Sequence, residues 1–181
     1  METTKYLRIF ANKIKPNKYM EINYKPRIAD KLLTKKLASK GAVLIEGPKW
    51  CGKTTTAEQR AKSILYMDDP SRLKSSLQLA EVNPEMLLEG EKPRLIDEWQ
   101  LASNLWDTIR FSVDHHPSVG QYILTGSAVP ADEDRMHHSG TGRISWLTMR
   151  PMSLYESGES TGQVSLSDLF NAPEKITGTN K

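Results

Sequence analysis

The chain has 181 residues, enough for one well-cored domain with little left over for a second. Its hydrophobic share of 38% is low for a compact domain, so part of the chain is expected as surface arm or tail. Cys51 is the only cysteine, which excludes an internal disulfide and suits a reducing cytoplasm, and no apolar run has the length of a membrane span or the character of a secretion signal.

The net charge of +3 hides an asymmetry. Residues 1–41 hold eleven Lys/Arg against Glu2, Glu21 and Asp30, a local charge of +8 that leaves −5 for the rest. A basic arm can bind nucleic acid or another acidic partner. No interleaving of aromatic and basic residues supports that reading over a plain solvated face.

In chain order, residues 1–20 mix Lys, Asn and Pro16 with scattered apolar residues and read as a basic arm. Ile28, Leu32 or Leu33, and Leu37 recur at helical spacing, which predicts a helix over Ile28–Lys40 stopped by Gly41. Ala42-Val43-Leu44-Ile45 is a buried-strand pattern. Gly47-Pro48-Lys49-Trp50-Cys51-Gly52-Lys53-Thr54 follows, and a helix is predicted over Thr54–Lys62. Ser63–Met67 reads as a second strand, and Arg72–Ala80 as a helix broken by Asn83-Pro84. Met86-Leu87-Leu88 is expected to start another helix. Arg94-Leu95-Ile96 predicts a third strand ending at Asp97-Glu98, although Pro93 and Arg94 shorten its apolar run. Leu105, Ile109 and Val113 predict an amphipathic helix that ends before Pro117. Gln121–Thr125 and Arg143–Leu147 read as the fourth and fifth strands. Residues 157–162 read as a linker, and the chain frays after Phe170. The expected division is an arm over 1–20, one domain over 21–156, and a linker and tail over 157–181.

Alternating strands and helices predict an α/β fold with a parallel sheet covered on both faces. Ligands of such sheets bind beyond the carboxyl ends of the strands. The glycine loop, Asp97-Glu98 and Thr125-Gly126-Ser127 all follow predicted strands, so three separate stretches are expected at one edge. The loop fits the phosphate-binding pattern of two glycines bracketing four residues, then Lys and Ser/Thr, in the required strand–loop–helix context. Its glycines allow a tight turn whose N–H groups face phosphates. Gly47, Pro48, Lys49, Trp50, Cys51, Gly52, Lys53, Thr54 and Thr55 form the expected nucleotide-contacting set, with Lys53 on the β- and γ-phosphates and Thr54 on Mg²⁺. Asp97 is the expected partner of Thr54 at the metal, and Glu98 the residue that orients and deprotonates water.

With these residues quoted, the chain resembles prokaryotic AAA-type P-loop ATPases of the AAA_14 group. Ile96-Asp97-Glu98-Trp99-Gln100, Tyr122-Ile123-Leu124-Thr125-Gly126-Ser127 and Gly142-Arg143…Arg150-Pro151-Met152-Ser153-Leu154-Tyr155-Glu156 carry the resemblance, which runs from about Tyr24-Lys25-Pro26-Arg27 to Glu156. It implies a P-loop NTPase sheet of strand order 5-1-4-3-2, with ATP and Mg²⁺. It implies Thr125 or Ser127 as the polar sensor of the γ-phosphate. Lys49 and Trp50 stand where the family usually has Arg-Gln. A DUF4143 domain normally follows in this family and is missing after Lys181, so a fragment or a degenerate copy is expected. Arg143 is expected either to read the γ-phosphate, in its own chain or in a neighbour's, the latter implying a homo-oligomer, or to pair as a strand-end arginine with a nearby acid such as Glu156.

The implied activity is ATP hydrolysis that drives a conformational change in a partner or in the missing domain. A small-molecule kinase would want an arginine-rich lid, and residues 128–142 offer Arg135 alone. A nucleotide-binding module without turnover is the third alternative. Cys51 reads as a passive small residue rather than a redox switch. His115-His116 and His137-His138 lack metal-ligand spacing.

Overall fold

Five strands, β1 (Ala42–Glu46), β2 (Ser63–Tyr66), β3 (Arg94–Asp97), β4 (Tyr122–Gly126) and β5 (Ile144–Thr148), form one sheet. Every pairing is parallel, and the order is β2-β3-β4-β1-β5. That is the 5-1-4-3-2 arrangement read from the opposite edge. The structure is a computed structural model that describes residues 24–126, 142–171 and 174. The basic arm, Ser127, Arg135 and the His137-His138 pair lie outside the described residues.

The central strands β1, β3 and β4 have apolar, buried middles because both faces of the sheet are covered, whereas the edge strands β2 and β5 are only partly buried. Leu44, Ile96 and Leu124 share one face with Trp99, Trp106, Ile109 and Val113. Val43, Ile45, Leu95, Ile123 and Leu147 share the other with Leu33, Leu37, Ala57 and Met149. Helices α1 (Ile28–Leu37) and α2 (Lys53–Glu58) cover the second face. Helices α3 (Leu73–Val82) and α4 (Asn104–His115), with the 3₁₀ turn Pro84–Leu88, cover the first. Two short helices follow β5, namely α5 (Leu154–Ser157) and α6 (Leu166–Asn171).

Several elements are shorter than their sequence patterns suggest. The first helix ends at Leu37, not Lys40, and Ala38 caps it. Gly41 is therefore not a helix stop: a Cβ there would sit 2.1 Å from Val113 Cγ1, so the glycine lets β1 pass close under α4. The helix after the glycine loop runs only to Glu58. Met86-Leu87-Leu88 closes a 3₁₀ turn rather than opening a helix. Helix α5 was not anticipated, yet Ser153 and Glu156 form a reciprocal capping box at its start, a pattern readable as Ser-x-x-Glu. Arg94 is accommodated in β3 because Nε donates to Leu87 O at 2.8 Å and Nη1 to Ser63 Oγ at 3.0 Å.

Candidate functional site

The parallel sheet sends the ends of β1, β3 and β4 to one edge, and the glycine loop leaves β1 there. Gly47 has φ 149° and Gly52 φ 93°, values that side chains rarely tolerate. A Cβ on Gly47 would meet Met149 O at 2.1 Å, so this glycine is fixed by crowding as well as by backbone geometry. Trp50 is also left-handed, at φ 68°, and the residue is 91% exposed. Lys53 is buried, and its Nζ donates to Gly47 O and Pro48 O, each at 2.9 Å. An ammonium has three donors, so these two bonds bind the loop into a ring and leave one for an anion.

Asp97 ends β3 and is buried. Thr54 Oγ1 donates to its Oδ1 at 2.8 Å, and Thr125 Oγ1 donates to the same oxygen. Residues from α2, β3 and β4 thus meet on one carboxylate. Burial pushes the Asp97 carboxyl up, while the Thr125 and Thr54 hydroxyls pull it down. A buried carboxylate beside a hydroxyl is a hard-oxygen donor set, and a divalent cation would favour its charged form. Among the described residues no group of three His, Cys, Asp or Glu is arranged to hold a metal ion. The arrangement suits Mg²⁺, which is commonly bound through one or two carboxylates, waters and substrate phosphates.

Glu98 follows in the left-handed region, at φ 54°, which turns it away from the line of the strand. Gln100 Nε2 donates to Glu98 Oε2. Gln100 Oε1 is buried without a hydrogen-bond partner among the described residues. Nothing in the residue order around Asp97-Glu98 marks Gln100 as the partner of Glu98, since the contact appears only once the chain has turned at Glu98.

Arg143 does not reach this edge in its own chain. It precedes β5, whose first residue Ile144 pairs with Ala42, the first residue of β1. Five residues of strand, about 15 Å, separate the two edges. Arg143 Nε instead donates to Asp114 Oδ1 at 2.9 Å. A parallel strand starts again from the far edge of the sheet, which removes the own-chain reading; the pairing with an acid is found, with Asp114 in place of the expected Glu156. Cys51 is buried and its thiol donates to Met149 O at 3.7 Å, a packing role. His115 and His116 are exposed and face Phe111 O and Ser112 O of their own helix at 2.9 and 3.2 Å.

The AAA_14 family model, an AAA domain, matches residues 39–158, about two thirds of the chain. The chain belongs to this AAA family. As an AAA domain it is a nucleotide-binding module of the ATPase type. Among solved structures it is similar to that of C. elegans PCH-2, with a TM-score of 0.40 and 16% identity. The match covers 86% of this chain and 44% of that one, so the chain spans less than half of the PCH-2 chain. No curated protein matches it. Among the described residues no helix of this AAA domain is long and apolar enough to cross a membrane.

The exposed Trp50 provides a reporter for the AAA domain's loop. Trp99 and Trp106 are core residues, 2% and 1% exposed, and are best left in place. Mg-ATP is expected to change the fluorescence of the parent protein and to leave that of Trp50→Phe nearly unchanged. Equal responses from the two proteins would show that the signal arises elsewhere.

Proposed function

We propose that this AAA domain binds ATP with Mg²⁺ and hydrolyses it, and that the nucleotide state drives a conformational change in a partner or a further domain. The observation that carries this reading is the meeting of Thr54, Asp97 and Thr125 beside the phosphate loop. In it, the loop residues 47–54 and Thr55 hold the phosphates, and Lys53 supplies the fixed positive charge. Thr54 and Asp97 would hold Mg²⁺, which when bound supplies charge neutralisation at the phosphates. Thr125 acts as the polar sensor through the oxygen it shares with Thr54 on Asp97. Glu98 orients water and accepts its proton, with Gln100 holding one of its two oxygens in place.

Phosphate release decides among the alternatives. The purified chain with Mg-ATP and no acceptor is expected to release inorganic phosphate. Release only when a metabolite acceptor is present, with the phosphoryl group recovered on that acceptor, would establish a kinase. Nucleotide binding without either outcome would leave a binding module.

A further inference from the structure

Arg27 is a buried cation: its side chain is 6% exposed, and its three nitrogens serve three different parts of the chain. Nη1 donates to Cys51 O at 2.8 Å, inside the phosphate loop. Nη2 donates to Arg150 O at 2.9 Å, just past β5. Nε donates to Glu156 Oε1 at 3.1 Å, on α5. A planar fork of donors is the side chain that can hold three such acceptors at once.

The bond to Cys51 has a consequence for the next atom along the chain. A trans peptide is planar, so the carbonyl of one residue and the N–H of the next point in opposite directions. Fixing the Cys51 carbonyl on Arg27 fixes the direction of the Gly52 N–H, on the opposite side of that peptide. Gly52 also faces the guanidinium closely, since a Cβ there would lie 3.1 Å from Arg27 Nη1. The guanidinium therefore lies directly against the second glycine of the loop.

Glu156 holds the guanidinium in turn. Its Oε1 also accepts the Ile28 N–H at 2.7 Å, and its Oε2 accepts the Ser153 N–H at 2.8 Å and the Ser153 hydroxyl at 2.9 Å. Burial works to raise this carboxyl, but the donors from Ser153, Ile28 and Arg27 outweigh it and hold the group at about 2. It is thus the permanent counter-charge of Arg27 near neutral pH. Lys25 Nζ adds a bond to Ser157 O at 2.9 Å, so the segment before α1 is fastened to α5 at two points.

We propose that Arg27 is a positioning residue for nucleotide binding: it turns the Cys51–Gly52 peptide so that the Gly52 N–H faces the phosphates, and Glu156 fixes Arg27 for that task. This rests on the reading of the loop as an ATP site. It makes the shape of the loop depend on a helix more than 100 residues later in the chain.

The test compares the parent, Lys53→Ala, Arg27→Ala, Arg27→Lys, Glu156→Gln and the double variant Arg27→Ala/Glu156→Gln. The readings are affinity for a fluorescent N-methylanthraniloyl ATP with Mg²⁺ and the melting temperature, taken where circular dichroism shows each protein folded. Arg27→Ala is expected to weaken binding roughly tenfold or more, in line with loss of a charge-assisted hydrogen bond. Glu156→Gln is expected to weaken it by less, and to add nothing when Arg27 is already alanine. Arg27→Lys keeps the charge but has no planar fork, so its affinity should fall between the parent and Arg27→Ala. This variant carries the test if Arg27→Ala does not fold. A merely structural role would lower the melting temperatures and leave the affinity of the folded variants at the parent's value, which would overturn the proposal. Parent-like affinity in both Arg27 variants while Lys53→Ala has lost binding would sink the role of Arg27 alone. No binding by the parent would overturn the ATP reading, and this inference with it.

Discussion

Lys53→Ala is expected to weaken ATP binding by roughly 10²-fold, the loss of a charge-assisted contact to phosphate. The side chain is buried, and it holds the loop together through Gly47 O and Pro48 O. Alanine removes both the anion's partner and the clasp. Two measurements separate these effects. Calorimetric titration with Mg-ATP reads the lost affinity, and melting of the nucleotide-free protein reads the lost clasp. Arginine at the same position would keep the charge but not the compact ammonium that fits between two carbonyls. Unchanged affinity in Lys53→Ala would remove the loop from nucleotide binding.

Glu98→Gln should behave in the opposite way. The amide keeps the size of the carboxylate and its acceptor oxygen for Gln100, but cannot take a proton from water. ATP should bind as in the parent while steady-state hydrolysis falls by roughly 10²-fold or more. Glu98 occupies a left-handed backbone position, and the substitution leaves the backbone preference little changed, so the melting temperature should move little. Asp97→Asn provides the contrast. It removes charge from the oxygen shared by Thr54 and Thr125, and so should impair Mg²⁺-dependent binding itself. Equal turnover by Glu98→Gln and the parent would take Glu98 out of the mechanism.

Much of the frame was legible from residue order alone. The runs at Ala42, Arg94 and Gln121 are short, apolar and followed by polar or glycine residues, which is the signature of buried parallel strands. Their ends therefore identified a common edge, where Thr54, Asp97 and Thr125 meet. For Arg143 residue order left own-chain, neighbour-chain and acid-pairing roles open; direction closes the first, because a residue after the fourth strand but before the fifth is carried back to the far edge. Gly41 looked like a helix stop because its role comes from Val113, a neighbour distant in sequence. The contacts of Arg27 were beyond reach for the same reason, since its partners lie 24, 123 and 129 residues away. Local pattern reports local geometry. It carries no information about which distant carbonyl a buried guanidinium will find. The shortened helices have a similar origin, since tertiary contacts rather than propensity set where they stop.

The position of β1 between β4 and β5 also governs when the fold can form. Ala42 pairs with Tyr122 and with Ile144, so the central strand is joined to partners about 80 and 100 residues downstream. Such distant pairing must overcome a large loop-closure entropy before any contact offsets it, which slows folding. On the ribosome β1 and the glycine loop emerge long before β4 and β5, the strands that flank β1 in the sheet. Until β5 has left the exit tunnel, β1 has an open edge whose backbone N–H and C=O groups lack partners on that side. The nascent chain therefore passes through a long interval with its future ligand site synthesised but unassembled, and it is in that interval that a chaperone has most to shield.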